Sequence, residues 1–162
     1  MIGSARPAVL LLAVALAAGC SPDDDGKVAV PAPRPSGEAV AHCAALAKRL
    51  PRALDDDLRR RTVKPESRYT AAWGDPAVVL RCGVRRPAVL TPGTELYNPS
   101  ADTAEVDGVD WLLEDTDEGY RFTTVGRRTF VEVAVPEHYA PEIGIVAGGI
   151  SAAVRATVPT EL

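Results

Sequence analysis

The two cysteines in the central part of the chain are the residues best suited to covalent chemistry. Cys43 follows one histidine, His42, directly, and Cys82 lies in the segment "YTAAWGDPAVVLRCGV"; the other histidine is His138. An imidazole can deprotonate a nearby thiol, and the thiolate is the nucleophile of thiol enzymes. The sequence contexts typical of such enzymes are absent around both cysteines. A disulfide is the alternative, and the compartment of the protein decides between the two.

Two aspartates, each close to a tryptophan and a turn glycine, offer a second kind of chemistry. The segment "WGDP" contains Trp73 and Asp75, and the segment "VDGVDW" contains Asp110 and Trp111. Two carboxylates can act as acid and base where burial separates their pKa values. The structural alternative, which we favour, is that the tryptophans fill the core and the aspartates cap turns.

Arginines offer a third kind of site, for an anionic group. Arg81 and the pair Arg127-Arg128 carry guanidinium groups, which bind carboxylate or phosphate through paired hydrogen bonds. Single arginines on strands more often pair with a carboxylate across the sheet. The possible binding residues are Trp73, Asp75, Arg81, Asp110, Trp111 and Arg127.

No metal or cofactor site is predicted. The two histidines are far apart in the sequence and show no ligand spacing. The run Asp23-Asp24-Asp25 lacks the glycine and the distal glutamate of a calcium-binding loop. Phosphate loops, dinucleotide fingerprints, nucleophile elbows and zinc-protease helices are absent as well, which makes catalysis the less favoured interpretation.

The first twenty residues, "MIGSARPAVLLLAVALAAGC", indicate export. One positive charge precedes an uncharged apolar run, and small residues lead to Cys20. This ending resembles the lipobox of bacterial lipoproteins, in which the cysteine is diacylated and the signal peptide, here residues 1–19, is removed. The resemblance implies a protein anchored by lipid at Cys20 to the extracytoplasmic face of the cell membrane.

Export decides the role of the remaining cysteines. With Cys20 used by the lipid, Cys43 and Cys82 form an even pair on the oxidising side of the membrane, so we expect a disulfide between them.

Residues 20–36 contain four prolines and three consecutive aspartates. This composition predicts a disordered tether, followed by one globular domain at residues 37–162.

Charge is unevenly distributed over that domain. Residues 42–90 contain eleven basic and five acidic residues, whereas residues 91–119 contain nine acidic residues and no basic one. The asymmetry indicates internal pairing, which we favour, or a basic face turned toward anionic lipid or an anionic wall polymer. Nucleic acid is excluded as a partner, because removal of Arg6 takes the net charge from −4 to −5 and aromatic residues make up only 5% of the chain.

Hydrophobic spacing predicts an α+β domain with a mainly antiparallel sheet of about four strands. Val40, Cys43, Ala47 and Leu50 share one face of an N-terminal helix that Pro51 ends. The strands are predicted at residues 77–80, 109–113, 120–125 and 130–135. A C-terminal helix is predicted between Pro141 and Pro159.

The stretches "CAALAKRLP", "YTAAWGDPAVVLRCGV", "VDGVDWL", "TTVGR" and "VEVAVP" lie between residues 43 and 136. Through them the chain resembles a family of actinobacterial lipoproteins known as domain of unknown function 3515. The resemblance implies an envelope protein with paired cysteines and carries over no catalytic residue. We therefore expect a lipid-anchored binding module of the actinobacterial envelope, whose partner is an envelope protein or an anionic wall polymer. The alternative is a small envelope hydrolase or transferase that uses Asp75 and Asp110.

Overall fold

A seven-stranded antiparallel sheet forms the centre of the computed structural model, which describes residues 26–139, 144–147 and 149–161. In chain order the described strands are β1 (Val28–Ala29), β2 (Arg60–Arg61), β3 (Val63–Lys64), β4 (Thr70–Trp73), β5 (Val78–Val84), β6 (Thr103–Val106), β7 (Val109–Thr116), β8 (Gly119–Val125) and β9 (Phe130–Pro136). The described α-helices are α1 (Glu38–Arg49), α2 (Gly144–Ala147) and α3 (Ile150–Thr157). The sheet has the order β2-β4-β5-β9-β8-β7-β6, and β1 pairs separately with β3.

The α+β class is confirmed, but the prediction of about four strands is too low. The sheet also contains β2, β4 and β6. β4 is buried along its whole length and therefore shows no alternation of apolar and polar residues. β2 has only two residues, and β6 alternates between exposed and half-buried positions without a strong apolar residue until Val106. Patterns of hydrophobicity alone could not identify these three strands.

The core lies between one face of the sheet, here called the inner face, and the helices. Val131, Val133 and Val135 of β9 are buried there, while the residues between them are only half-buried. α1 contacts β5, α3 contacts β7, and the two helices contact each other. The largest fully buried side chains are Trp73, Trp111 and Phe122. Burial of each contributes roughly 2–3 kcal/mol.

The predicted disulfide is present. Cys43 on α1 and Cys82 on β5 are bonded, with their Cα atoms 5.6 Å apart, and both are completely buried. The bond connects the first helix to the middle of the sheet, as the core-facing position of Cys43 predicts.

The C-terminal helix differs from its prediction. The described residues there form two helices, α2 and α3, rather than one. Gly149, which precedes α3, has φ 97°, a left-handed conformation that interrupts a regular helix and favours glycine. The predicted start at Pro141 lies outside the described residues.

Residues 28–36, here called the strap, correct the prediction of a disordered tether. The amide of Val28 donates to the carbonyl of Thr62 at 2.8 Å, and the amide of Val30 donates to the carbonyl of Lys64 at 2.9 Å. Val30 is only 2% exposed. The alternating valines of "KVAVP" form this contact, although the surrounding prolines indicate an extended linker. The signal peptide, Cys20 and the rest of the predicted tether up to residue 25 lie outside the described residues.

Candidate functional site

Charged side chains lie in the middle of the sheet on the outer face, opposite the helices. Successive side chains of a strand point to opposite faces, so burial of Val131 and Val133 directs Glu132 outward. The register places Glu132 opposite Arg81 of β5 on one side and opposite Thr123 of β8 on the other. The chain thus places a carboxylate at the centre of the sheet face opposite the described helices.

Two ion pairs cross the strands of this face. The Nε and Nη2 of Arg81 both donate to Oε1 of Glu132, at 2.9 and 2.7 Å. The Nε of Arg121 donates to Oε2 of Glu114 at 3.1 Å. The side chain of Glu132 is only 12% exposed, so this carboxylate is held in a partly dehydrated position by its arginine.

These four residues form the floor of a groove, here called the outer groove. Its larger part has a volume of about 480 Å³ and lies between Ala29–Pro31 of the strap and the β7–β8 turn at residues 116–118. Its smaller part has a volume of about 300 Å³ and is bounded by the loop at residues 85–96. Glu132 and Arg121 line both parts, which makes the groove continuous.

Among the possible binding residues, Arg81 is the one that lines the outer groove. The two tryptophans lie in the core and are fully buried. Trp73 donates from Nε1 to the carbonyl of Pro51 at 3.1 Å, and Trp111 donates from Nε1 to Oγ of Ser151 at 3.0 Å. Both indoles therefore have the positions that the structural alternative predicts.

Arg127 is also buried, with 6% of its surface exposed. Its Nη1 donates to the carbonyl of Val158 at 3.1 Å, and its Nη2 donates to the carbonyl of Gly108 at 2.6 Å. The guanidinium thus connects the β6–β7 turn to the chain that follows α3. This is a structural position, away from the outer groove.

The structure does not bring Asp75 and Asp110 together. Asp75 precedes β5, and Asp110 lies near the start of β7, three places away in the sheet. The register aligns Val79 of β5 with Glu114 of β7, through one residue each of β9 and β8. Because β5 and β7 run in opposite directions, the two aspartates, each four residues before its aligned residue, lie at opposite ends of the sheet. Three strand spacings across the sheet and about eight residues of rise along it give a separation of roughly 25–30 Å, which is too large for an acid and base acting on one bond.

Of the four charged residues on the groove floor, Glu132, Glu114 and Arg121 are the three that the sequence did not identify. The alternation of "FVEVAVP" already placed Glu132 on the face opposite the valines. The strand register was the missing information, because it brings together residues that are distant in the chain.

Two groups on other parts of the surface have shifted pKa values. Desolvation lowers the pKa of Arg60, whose guanidinium stacks on Trp73 at 4.8 Å. Desolvation also raises the pKa of Tyr139, whose hydroxyl donates to the carbonyl of Pro76 at 2.7 Å. Both groups keep their ordinary charge at neutral pH and serve as packing contacts.

The described residues contain no group of three or more histidine, cysteine, aspartate or glutamate side chains arranged to hold a metal ion. They also include no helix with the length and apolar character needed to span a membrane.

A family model described as protein of unknown function, DUF3515, matches residues 5–162. The chain belongs to this family. Comparison with curated proteins and with solved structures gave no match. The DUF3515 match covers the strap, the strands of the outer groove and the disulfide, so the described site lies entirely within the family's domain.

Proposed function

We propose that this DUF3515 protein is a lipid-anchored binding module on the extracytoplasmic side of the cell membrane, and that it binds its partner in the outer groove without catalysing a reaction. The sequence supports the anchor through the lipobox-like segment that ends at Cys20. The disulfide between Cys43 and Cys82 supports an oxidising compartment.

The strap is the main support for this proposal, because it links the proposed anchor to the groove. Ala29, Val30 and Pro31 form one wall of the groove. Eight peptide units separate Cys20 from Val28, and they can span at most about 28 Å. A protein anchored at Cys20 therefore holds its groove close to the membrane, within reach of envelope components.

The groove has the size and polarity of a binding site. Its larger part, at about 480 Å³, falls within the usual range for ligand pockets. Val79 and Ala134 supply an apolar part of the floor, and the Arg81–Glu132 pair supplies oriented donors and acceptors. Such a mixture suits a partner that offers both apolar surface and polar groups.

Site-specific photo-crosslinking in living cells tests the proposal. A benzophenone amino acid replaces Ala134 on the groove floor or, as the matched control, Ala152 on the exposed side of α3. We expect a reproducible adduct with an envelope component from position 134 and none from position 152. Equal adducts from both positions, or none from either, would contradict a binding groove.

The anchor is tested separately by fractionation of cells that express Cys20→Ala. We expect the wild-type chain in the membrane fraction and loss of the variant from it. Membrane retention of the variant would show that Cys20 does not carry the anchor.

A further inference from the structure

A second concave region adjoins the outer groove and lies where the strap passes the end of β5. Two adjoining cavities of about 370 and 250 Å³ share Arg34, Gly83, Val84 and Arg85 in their linings. Arg81 lines the larger cavity and Arg128 lines the smaller one. We call this region the arginine cleft, and among the described residues no carboxylate lines either of its cavities.

The backbone of β5 shapes the cleft. A β-bulge between Cys82 and Val84 places Gly83 at φ 81°. A Cβ atom at this position would lie 2.6 Å from Cβ of Pro35 and 3.5 Å from Sγ of Cys43. The strap therefore lies directly on the strand, beside the disulfide, and the cleft between them is fixed by close packing.

The arginines of the cleft carry more positive charge than their neighbours neutralise. Arg81 pairs with Glu132, and Arg128 pairs with Glu38 at 3.1 Å. Arg34 and Arg85 are exposed, and neither forms an ion pair or a side-chain hydrogen bond with another described residue. Two guanidinium groups thus remain available in one cleft, one from the strap and one from the loop that follows β5.

This arrangement favours an anionic ligand with oxygen acceptors. Guanidinium groups bind phosphate through paired hydrogen bonds, and the described residues that line the cleft include no carboxylate that would repel such a ligand. Ser36 and Thr129 add hydroxyl groups to the smaller cavity. Because the two cavities adjoin, the cleft can hold two successive anionic groups of one chain.

The direction of the strap favours a wall polymer over lipid headgroups as the ligand of the arginine cleft. Arg61 donates to the carbonyls of both Gly26 and Gly74, so the residues that lead into the strap lie close to the β4–β5 turn. The arginine cleft is at the other end of β5, roughly 15 Å away. Exposed Asp75 and Glu118 lie near the beginning of the strap and would repel anionic headgroups on the anchored side.

We propose that the arginine cleft binds the phosphodiester backbone of an anionic wall polymer. The proposal rests on the proposed function, because it names the class of partner that the anchored module meets. It adds a site beside the outer groove, with Arg34 and Arg85 as the ligand-binding side chains; Arg85 also lines the smaller part of the groove, and Arg34 does not line the groove.

The test uses the full lipidated protein in phosphatidylcholine nanodiscs and measures calorimetric binding of a synthetic glycerol-phosphate oligomer. We expect saturable binding that weakens with salt, and a loss of about tenfold or more in the double variant Arg34→Gln/Arg85→Gln. The matched control is Lys48→Gln/Arg49→Gln, which removes the same charge from the exposed end of α1 and leaves affinity within about twofold.

A conservative variant tests whether the cleft binds its ligand through the paired hydrogen bonds of guanidinium groups or through charge alone. Arg34→Lys/Arg85→Lys keeps both charges and loses the guanidinium forks, so its affinity falls between those of the wild type and the glutamine variant. Thermal unfolding of each variant confirms that the fold is retained, which we expect because neither arginine has a partner among the described residues.

Four outcomes would overturn the proposal. Two concern the oligomer and the variants: the wild type shows no saturable binding, or the glutamine variant and its control lose equal affinity. Two concern competing ligands: polyglutamate of the same charge binds with equal affinity, or the oligomer no longer binds in nanodiscs that contain phosphatidylglycerol. The last would identify headgroups as the ligand. Failure of the wild-type chain to enter nanodiscs would instead contradict the anchor, so the two proposals fail in distinguishable ways.

Discussion

Arg81 and Glu132 face each other across β5 and β9, and both donated hydrogen bonds of the arginine end on the same carboxylate oxygen, Oε1. The glutamate is the more buried partner, with 12% of its side chain exposed against 33% for the arginine. We therefore expect Arg81→Ala to lower the free energy of unfolding more than Glu132→Ala, since the first leaves a partly buried carboxylate without its partner. A double-mutant cycle by urea unfolding should give a coupling of about 1 kcal/mol.

The pair formed by Arg121 and Glu114 provides the comparison within the same sheet. Its side chains are 40% and 27% exposed, and one hydrogen bond joins them. The same cycle should give a coupling below about 0.5 kcal/mol there. Equal couplings for the two pairs would contradict the argument from burial.

The disulfide provides the second prediction. The double variant Cys43→Ala/Cys82→Ala should lose up to roughly 4 kcal/mol of unfolding free energy, because the bond closes a loop in the unfolded chain. Denaturant unfolding measures the loss. Mass spectrometry after alkylation under denaturing conditions should show that both cysteines of the wild type react only after reduction. A thiol that reacts without reduction would contradict the bond.

Sequence patterns predicted the parts of the fold that depend on local spacing. α1 was identified because its apolar residues recur at helical intervals before a proline, and β9 was identified because its valines alternate. β6 was missed, although Asp107 and Gly108 have φ 52° and 77° and form the two-residue turn that joins it to β7. A turn signal indicates a hairpin only when both flanking strands are recognised.

The outer groove could not be predicted from the sequence, because it depends on register. Arg81 and Glu132 are 51 residues apart, and no local pattern specifies that they become neighbours. The strap was missed for a related reason. Its stability depends on pairing with β3 and on burial of Val30, both of which need the rest of the domain.

Arg127 gives a third prediction, which separates structural from functional roles. Arg127→Met should lower the free energy of unfolding by about 2–4 kcal/mol, because the carbonyls of Val158 and Gly108 lose a buried charged donor. Asp75→Asn should change it by less than about 0.5 kcal/mol, since Asp75 is 85% exposed and lies 3.7 Å from Arg61. Urea unfolding of both variants measures the difference. Similar decreases in the free energy of unfolding would show that burial does not determine the role of these residues.

Gly83 gives the last prediction, which tests whether the strap depends on its contact with β5. Gly83→Ala adds a Cβ atom at φ 81° and 2.6 Å from Cβ of Pro35, so it should lower the free energy of unfolding by about 1–3 kcal/mol and displace the strap. Gly93→Ala is the matched control, because Gly93 has φ 89° and its added Cβ atom would meet no atom of the described residues within 4 Å. Tryptic cleavage after Lys27 should become faster in the first variant than in the second. Equal cleavage rates would show that the strap is held independently of Gly83.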